Sequence, residues 1–191
     1  MSPSAAASVI ERRLPTPAAT DHLGGALAVA CRLHADLIRA HGLHVNVGGD
    51  LGVGKTALVR AWLRGLDVTG PIRSPTFAVL EPYVVSHAAP TAGRHGLEPH
   101  KDSSLDFYHF DFYRFADPRE FGIGFRDQFR PGSICAIEWA EKAGDRLPRA
   151  DLTIALEFDG EGRRARFDAS SPAGRACLES ALREFDANAV A

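Results

Sequence analysis

Lysine is scarce in this chain of 191 residues, which carries three, Lys55, Lys101 and Lys142, against nineteen arginines. A motif built around one of them is not a by-product of abundance. Three cysteines, Cys31, Cys135 and Cys177, are widely spaced, odd in number and set among apolar residues, which excludes a disulfide framework and fits reduced core thiols. No apolar run reaches the roughly 20 residues that a bilayer crossing requires, so no membrane span is expected. The first seven residues lack a basic start followed by a long apolar stretch; no secretory signal is read there, and a cytoplasmic address is the expectation. Charge of one sign is also missing, because a formal net charge of −2 leaves no broad basic face for gripping nucleic acid. The densest basic cluster, Arg163, Arg164 and Arg166, is expected to form a solvated strand face.

With 45% hydrophobic and 24% charged residues, the chain has the balance of one globular domain, long enough to bury a core without disulfides. Residues 1–13 are expected to be loose, although 9–14 can make an edge strand. Leu23, Leu27, Ala30, Leu37 and Ile38 recur at helical spacing across 21–40, with Thr20 as N-cap and Gly42 as the stop. A short strand over 43–47 enters a glycine-rich turn, and a helix over 56–66 leaves it. Strands are expected at 76–80, continuing past Tyr83, and at 105–115 and 133–139, then a hairpin of 152–158 with 164–168. Ser171 caps a closing helix in which Leu178, Leu182 and Phe185 share a face and Glu179 stands one turn before Arg183. Between 85 and 105, histidine, glycine and proline follow no period, which marks a loop insertion. The domain is thus bounded as 14–185, with a tail at 186–191.

The glycine-rich turn reads Gly49-Asp50-Leu51-Gly52-Val53-Gly54-Lys55-Thr56, the Gly-x-x-x-x-Gly-Lys-Ser/Thr pattern of a P-loop, or Walker A motif. Its position between an apolar strand and an amphipathic helix gives the pattern physical meaning. The turn can aim successive N–H groups inward at a polyphosphate, and the helix adds its positive end. Lys55 supplies a point charge for the β and γ phosphates, and the Thr56 hydroxyl suits Mg²⁺. The fold class expected is α/β: a single P-loop NTPase-like domain with a largely parallel central sheet flanked by helices.

Hydrolysis also needs an acid near Mg²⁺ and a group that places water. Glu138 closes the apolar strand Ile134-Cys135-Ala136-Ile137, where open α/β sheets build their sites, and so resembles a Walker B acid. Asp111, alternating with aromatics, is a candidate water-positioning or switch residue, and Ser74-Pro75-Thr76 offers a hydroxyl after a rigid turn. His87, His95, His100 and His109 match no metal spacing and are read as unliganded. Guanine readers of the Asn-Lys-x-Asp or Thr-Lys-x-Asp type are lacking, which favours ATP.

Together the P-loop, Ser74-Pro75-Thr76-Phe77, His109-Phe110-Asp111-Phe112-Tyr113-Arg114 and Ile137-Glu138-Trp139 resemble, in order and spacing, the TsaE (YjeE) family over residues 14–182. These are bacterial P-loop ATPases required for threonylcarbamoylation of adenosine 37 in tRNAs that read ANN codons, working with TsaB–TsaD. The resemblance implies that Leu51, Gly52, Val53, Gly54, Lys55 and Thr56 hold the phosphates of ATP and that Thr56 and Glu138 are Mg²⁺ ligands. It implies switch or catalytic roles for Asp111 and Thr76, and adenine-side contacts near Pro17 and Gly162. Trp139 is expected to face a neighbouring protein, and tRNA to be met only indirectly. The segment between Tyr83 and Tyr108 is longer than the family's short turn, and Ala140 stands where many relatives have proline. Two other readings remain open: a small-molecule kinase closing Arg119, Arg126 and Arg130 over a phosphoryl group, and a non-hydrolysing ATP sensor.

Overall fold

Sequence periodicity sorts the chain, in a computed structural model that describes residues 10–75, 78–86 and 104–188, into alternating strands and helices. The strands are β1 (Ile10–Leu14), β2 (Leu43–Gly48), β3 (Leu80–Ser86), β4 (Ser104–Asp111), β5 (Ser133–Glu138), β6 (Leu152–Asp159) and β7 (Gly162–Ala169). The helices are α1 (Pro17–Leu33), α2 (Ala35–His41), α3 (Lys55–Gly65), a single turn α4 (Ile123–Arg126) and α5 (Pro172–Asn188). All seven strands join one sheet in the order β1-β7-β6-β2-β5-β4-β3. Its centre, β6, β2, β5 and β4, is parallel, and antiparallel β7 and β1 on one side and β3 on the other complete it.

Alternation along β2 sends Leu43, Val45 and Val47 to one face, where they are buried against the helices, and His44, Asn46 and Gly48 to the other. On that helical side α1 lies against both α3 and α5. A Cβ added at Gly24 of α1 would stand 2.5 Å from Ala61 Cβ of α3, so the helices meet at a distance that only glycine permits there. The opposite face of β4 and β5 carries a second core, rich in phenylalanine: Phe110, Phe112, Phe115 and Phe121 with Cys135 and Ile137. Because both cores press on it, every residue of β5 is buried, as its unbroken apolar run implies. Cys31, Cys135 and Cys177 are buried and free. No helix among the described residues is long and apolar enough to cross a membrane.

Several expectations shift in detail. The helix expected over 21–40 starts earlier, with Thr16 rather than Thr20 as its cap: Thr16 Oγ1 accepts from Ala19 N at 3.2 Å, Pro17 opens the helix, and Thr20 is buried inside it. It also breaks at His34, which separates α1 from α2. The edge strand expected over 9–14 forms as β1, so Ile10 to Arg13 pair with β7 and are not loose, and α5 runs to Asn188, into the expected tail. Arg183, expected to meet Glu179, donates to Ser180 Oγ at 3.1 Å. Of the strand expected at 76–80, residues 76 and 77 lie outside the described residues, as does most of the insertion at 85–105; β3 tolerates Pro82 because it is a sheet edge.

Candidate functional site

Parallel register brings the chemistry to one end of the sheet. Val47 pairs with Glu138, and Glu138 with Asp111, so the last residues of β5 and β4 line up beside the strand that enters the P-loop. The loop starts at Gly49, where φ is 129° and an added Cβ would stand 2.2 Å from the Leu156 carbonyl of β6. Only glycine allows both that backbone angle and that approach. Gly54 then precedes α3, so the free N–H groups of its first turn face the space above the sheet.

Lys55 is the first residue of α3, and its ammonium turns back to donate to the carbonyls of Gly49 at 2.6 Å and Asp50 at 2.8 Å. The Trp139 ring covers it, with Nζ 4.0 Å from the ring centre. Burial pushes the Lys55 ammonium below its ordinary pKa, while the charges of Glu138, Glu141, Asp111 and Asp50 push it back up. Trp139 itself has left-handed backbone, φ 58° and ψ 40°, an expensive shape for an aromatic residue, and its ring lies 5.1 Å from that of Tyr113. The side chain expected to face a neighbouring protein thus also roofs the lysine.

Thr56 Oγ1 donates to Glu138 Oε2 at 2.9 Å, and His109 Nε2 lies 2.8 Å from Glu138 Oε1. Asp111 is buried, and its Oδ1 accepts from Tyr113 N at 2.9 Å. Leu51, Gly52, Gly54, Lys55, Thr56, Asp111 and Glu138 line one cavity of about 240 Å³. Its donor set suits Mg²⁺: a hydroxyl and a carboxylate are hard oxygen ligands, and this ion takes few protein ligands beside substrate phosphates. Among the described residues no group of three or more His, Cys, Asp or Glu is placed to hold a metal ion.

A second cavity, of about 190 Å³, adjoins the loop on its other side, and Pro17 and Gly162 both line it together with Val53 and Gly54. Its wall is tight: a Cβ at Gly162 would lie 2.8 Å from Leu14 O and 2.9 Å from Pro15 Cα. Arg163, next to Gly162 in the segment that the resemblance sets on the adenine side, closes the corner by donating from Nε to Val53 O at 2.8 Å. Arg164 and Arg166, by contrast, lie on the solvated strand face, paired with Glu11, Asp159 and Glu157.

Thr76 lies outside the described residues. The segment beyond it is tied to the site, for Val79, with a left-handed φ of 68°, donates to Pro75 O and accepts from Asp111 N at 3.0 Å. His87, His95 and His100 also lie outside the described residues, whereas His109 is buried in the site. Its position two residues before Asp111, on the same strand face, was the available signal. Of the arginines considered for a kinase none lines the cavity; Arg130 pairs with Asp106, next to the N-terminal end of β5, and Arg119 pairs with Asp117.

The model of the family described as threonylcarbamoyl adenosine biosynthesis protein TsaE matches residues 14–166. The tRNA threonylcarbamoyladenosine biosynthesis protein TsaE of Haemophilus influenzae is 37% identical over 132 residues, which are 69% of this chain and 73% of that protein. Its namesake in Bacillus subtilis is 31% identical over 120 residues, 63% of this chain and 65% of that one. The crystal structure of Bacillus subtilis YdiB shares the fold, with a TM-score of 0.65 over 94% of this chain and 98% of that chain at 22% identity. With P-loop, acid strand and aromatic roof in place and the family match spanning most of its length, the chain belongs to the TsaE family.

Proposed function

We propose that this protein is a Mg²⁺-dependent, partner-stimulated ATPase acting in the cytoplasm. Its hydrolysis of ATP drives or resets a TsaB–TsaD complex during N6-threonylcarbamoylation of adenosine 37 in ANN-reading tRNAs. The observation that carries the reading is the 2.9 Å contact between Thr56 Oγ1 and Glu138 Oε2 beside Lys55, which joins the P-loop to an acid from the neighbouring strand.

In this reading the amides of residues 51–56 bind the phosphates, and Lys55 exchanges its two loop carbonyls for β and γ oxygens. Thr56 and Glu138 hold Mg²⁺, which when bound neutralises charge on the phosphate oxygens. Asp111, beside Glu138 in the sheet, orients the attacking water, and Thr76 senses the γ-phosphate from the segment that Val79 ties to Asp111. Pro17 and Gly162 wall the adenine, on the side of the loop away from the carboxylates. No tRNA chemistry occurs on this chain.

Calorimetry of the purified protein with ATP and Mg²⁺, followed by ADP production with and without TsaB and TsaD, tests the proposal. Binding, slow turnover alone and faster turnover with the partners are expected. Rapid phosphate transfer to a small acceptor, or no heat of binding, would refute it.

A further inference from the structure

We infer that His109 is a positioning residue, whose Nε2–H holds Glu138 Oε1 so that Oε2 stays directed at Thr56. The inference rests on the nucleotide reading above, in which Glu138 and Thr56 meet the cation, and it adds a group that fixes the acid in place.

His109 is fully buried, and along β4 it shares the helix-facing side with Leu105, Phe107 and Asp111. A carboxylate only accepts, so in the 2.8 Å pair with Glu138 Oε1 the hydrogen sits on His109 Nε2. Nδ1, on the other side of the ring, has no hydrogen-bond partner among the described residues. A buried polar atom without a partner opposes folding, so imidazole is a poor choice for packing alone beside Leu105 and Phe107. What imidazole supplies is its one bond to the acid. His109 thus bonds Glu138 Oε1, whereas Oε2 accepts from Thr56 Oγ1 at 2.9 Å. Without the His109 bond the carboxylate is free to rotate, and the alignment of Oε2 with Thr56 is lost. Groups that orient a metal ligand through its second atom tune metal affinity in this way.

Two polar substitutions separate positioning from packing. His109→Gln places an amide N–H near the site of the imidazole Nε2, and His109→Asn places one near that of Nδ1. The readout is titration calorimetry of ATP into the full chain, with and without Mg²⁺, alongside thermal denaturation without nucleotide. In His109→Asn the gain in ATP affinity on adding Mg²⁺ is expected to shrink by about tenfold or more, while His109→Gln keeps it within about threefold of wild type. Binding of ATP without Mg²⁺ should stay within about twofold in both, since the phosphate-binding amides are untouched. A wild-type Mg²⁺ response in His109→Asn overturns the inference. So does an equal loss in both variants that follows their thermal midpoints, which would make His109 a packing residue. Should His109→Asn fail to fold, His109→Gln decides alone: a retained response supports positioning, and a tenfold loss in a folded variant overturns it. Wild-type protein that binds ATP no better with Mg²⁺ is a separate failure, which removes the nucleotide reading and this inference with it.

Discussion

Lys55 shows how one residue is prepared for a ligand. Its ammonium is buried, held by two loop carbonyls and roofed by an indole, and each of these contacts is weaker than the one a triphosphate would offer. Lys55→Ala should therefore lower ATP affinity by at least about 100-fold in calorimetry, with the fold intact by circular dichroism. On the other flank, Gly162 has no room for a methyl group, because the obstacles are the backbone of Leu14 and Pro15 rather than a movable side chain. Gly162→Ala should cost about 1–3 kcal/mol of stability in urea denaturation, and ATP should bind it more weakly than a control substitution of equal stability elsewhere.

Between elements, the Arg12–Asp186 pair fastens β1 to α5 through two hydrogen bonds of 2.7 and 2.6 Å. The guanidinium holds the Asp186 carboxyl below its ordinary pKa of 3.8. Its contribution is therefore full above that value and fades as the pH falls through the folded-state pKa. Both partners are partly exposed, so Asp186→Asn should cost less than about 1 kcal/mol at neutral pH, and the difference should vanish once the pH lies below the folded-state pKa in urea titrations. The ends of the β3–β4 insertion are themselves paired, Ser86 opposite Ser104. Replacing residues 87–103 by Asn-Gly should keep the thermal midpoint within about 5 °C and retain ATP binding, because that dipeptide closes a hairpin by itself.

The same elements show what the sequence made legible. β2, β5 and α3 were readable because each carries its own period or apolar run, and the P-loop and Glu138 followed from where those elements end. The true cap of α1 was signalled by Pro17, which favours the first helical position and so points to Thr16, but the apolar period alone admits both threonines. The break at His34 leaves no mark on periodicity, since the apolar spacing continues across it. The phenylalanine core was hidden for another reason: Phe112, Phe115 and Phe121 lie in irregular turns, and the face they share with Phe110 of β4 is created only by the fold. The contact of His109 with Glu138 was not legible for the same cause, its partner lying 29 residues away on the next strand.

Across the whole molecule, charge is balanced locally as well as in sum. Arg13, Arg164 and Arg166 face Glu11, Asp159 and Glu157 across β1, β7 and β6, which leaves that sheet face nearly neutral. Filter binding of tRNA to the isolated chain at physiological salt should accordingly be no tighter than about 10⁻⁵ M, with tighter retention only in the presence of TsaB and TsaD.

The burial of β5 between two cores sets it apart from the β6–β7 hairpin, where Glu157, Phe158 and Arg166 face solvent. Amide hydrogen exchange should be slowest along residues 134–137 and fastest near the Gly160 turn. Such a gradient makes the cavity wall at Gly162 and Arg163 the part that yields first, and the wall at Glu138 the part that holds longest.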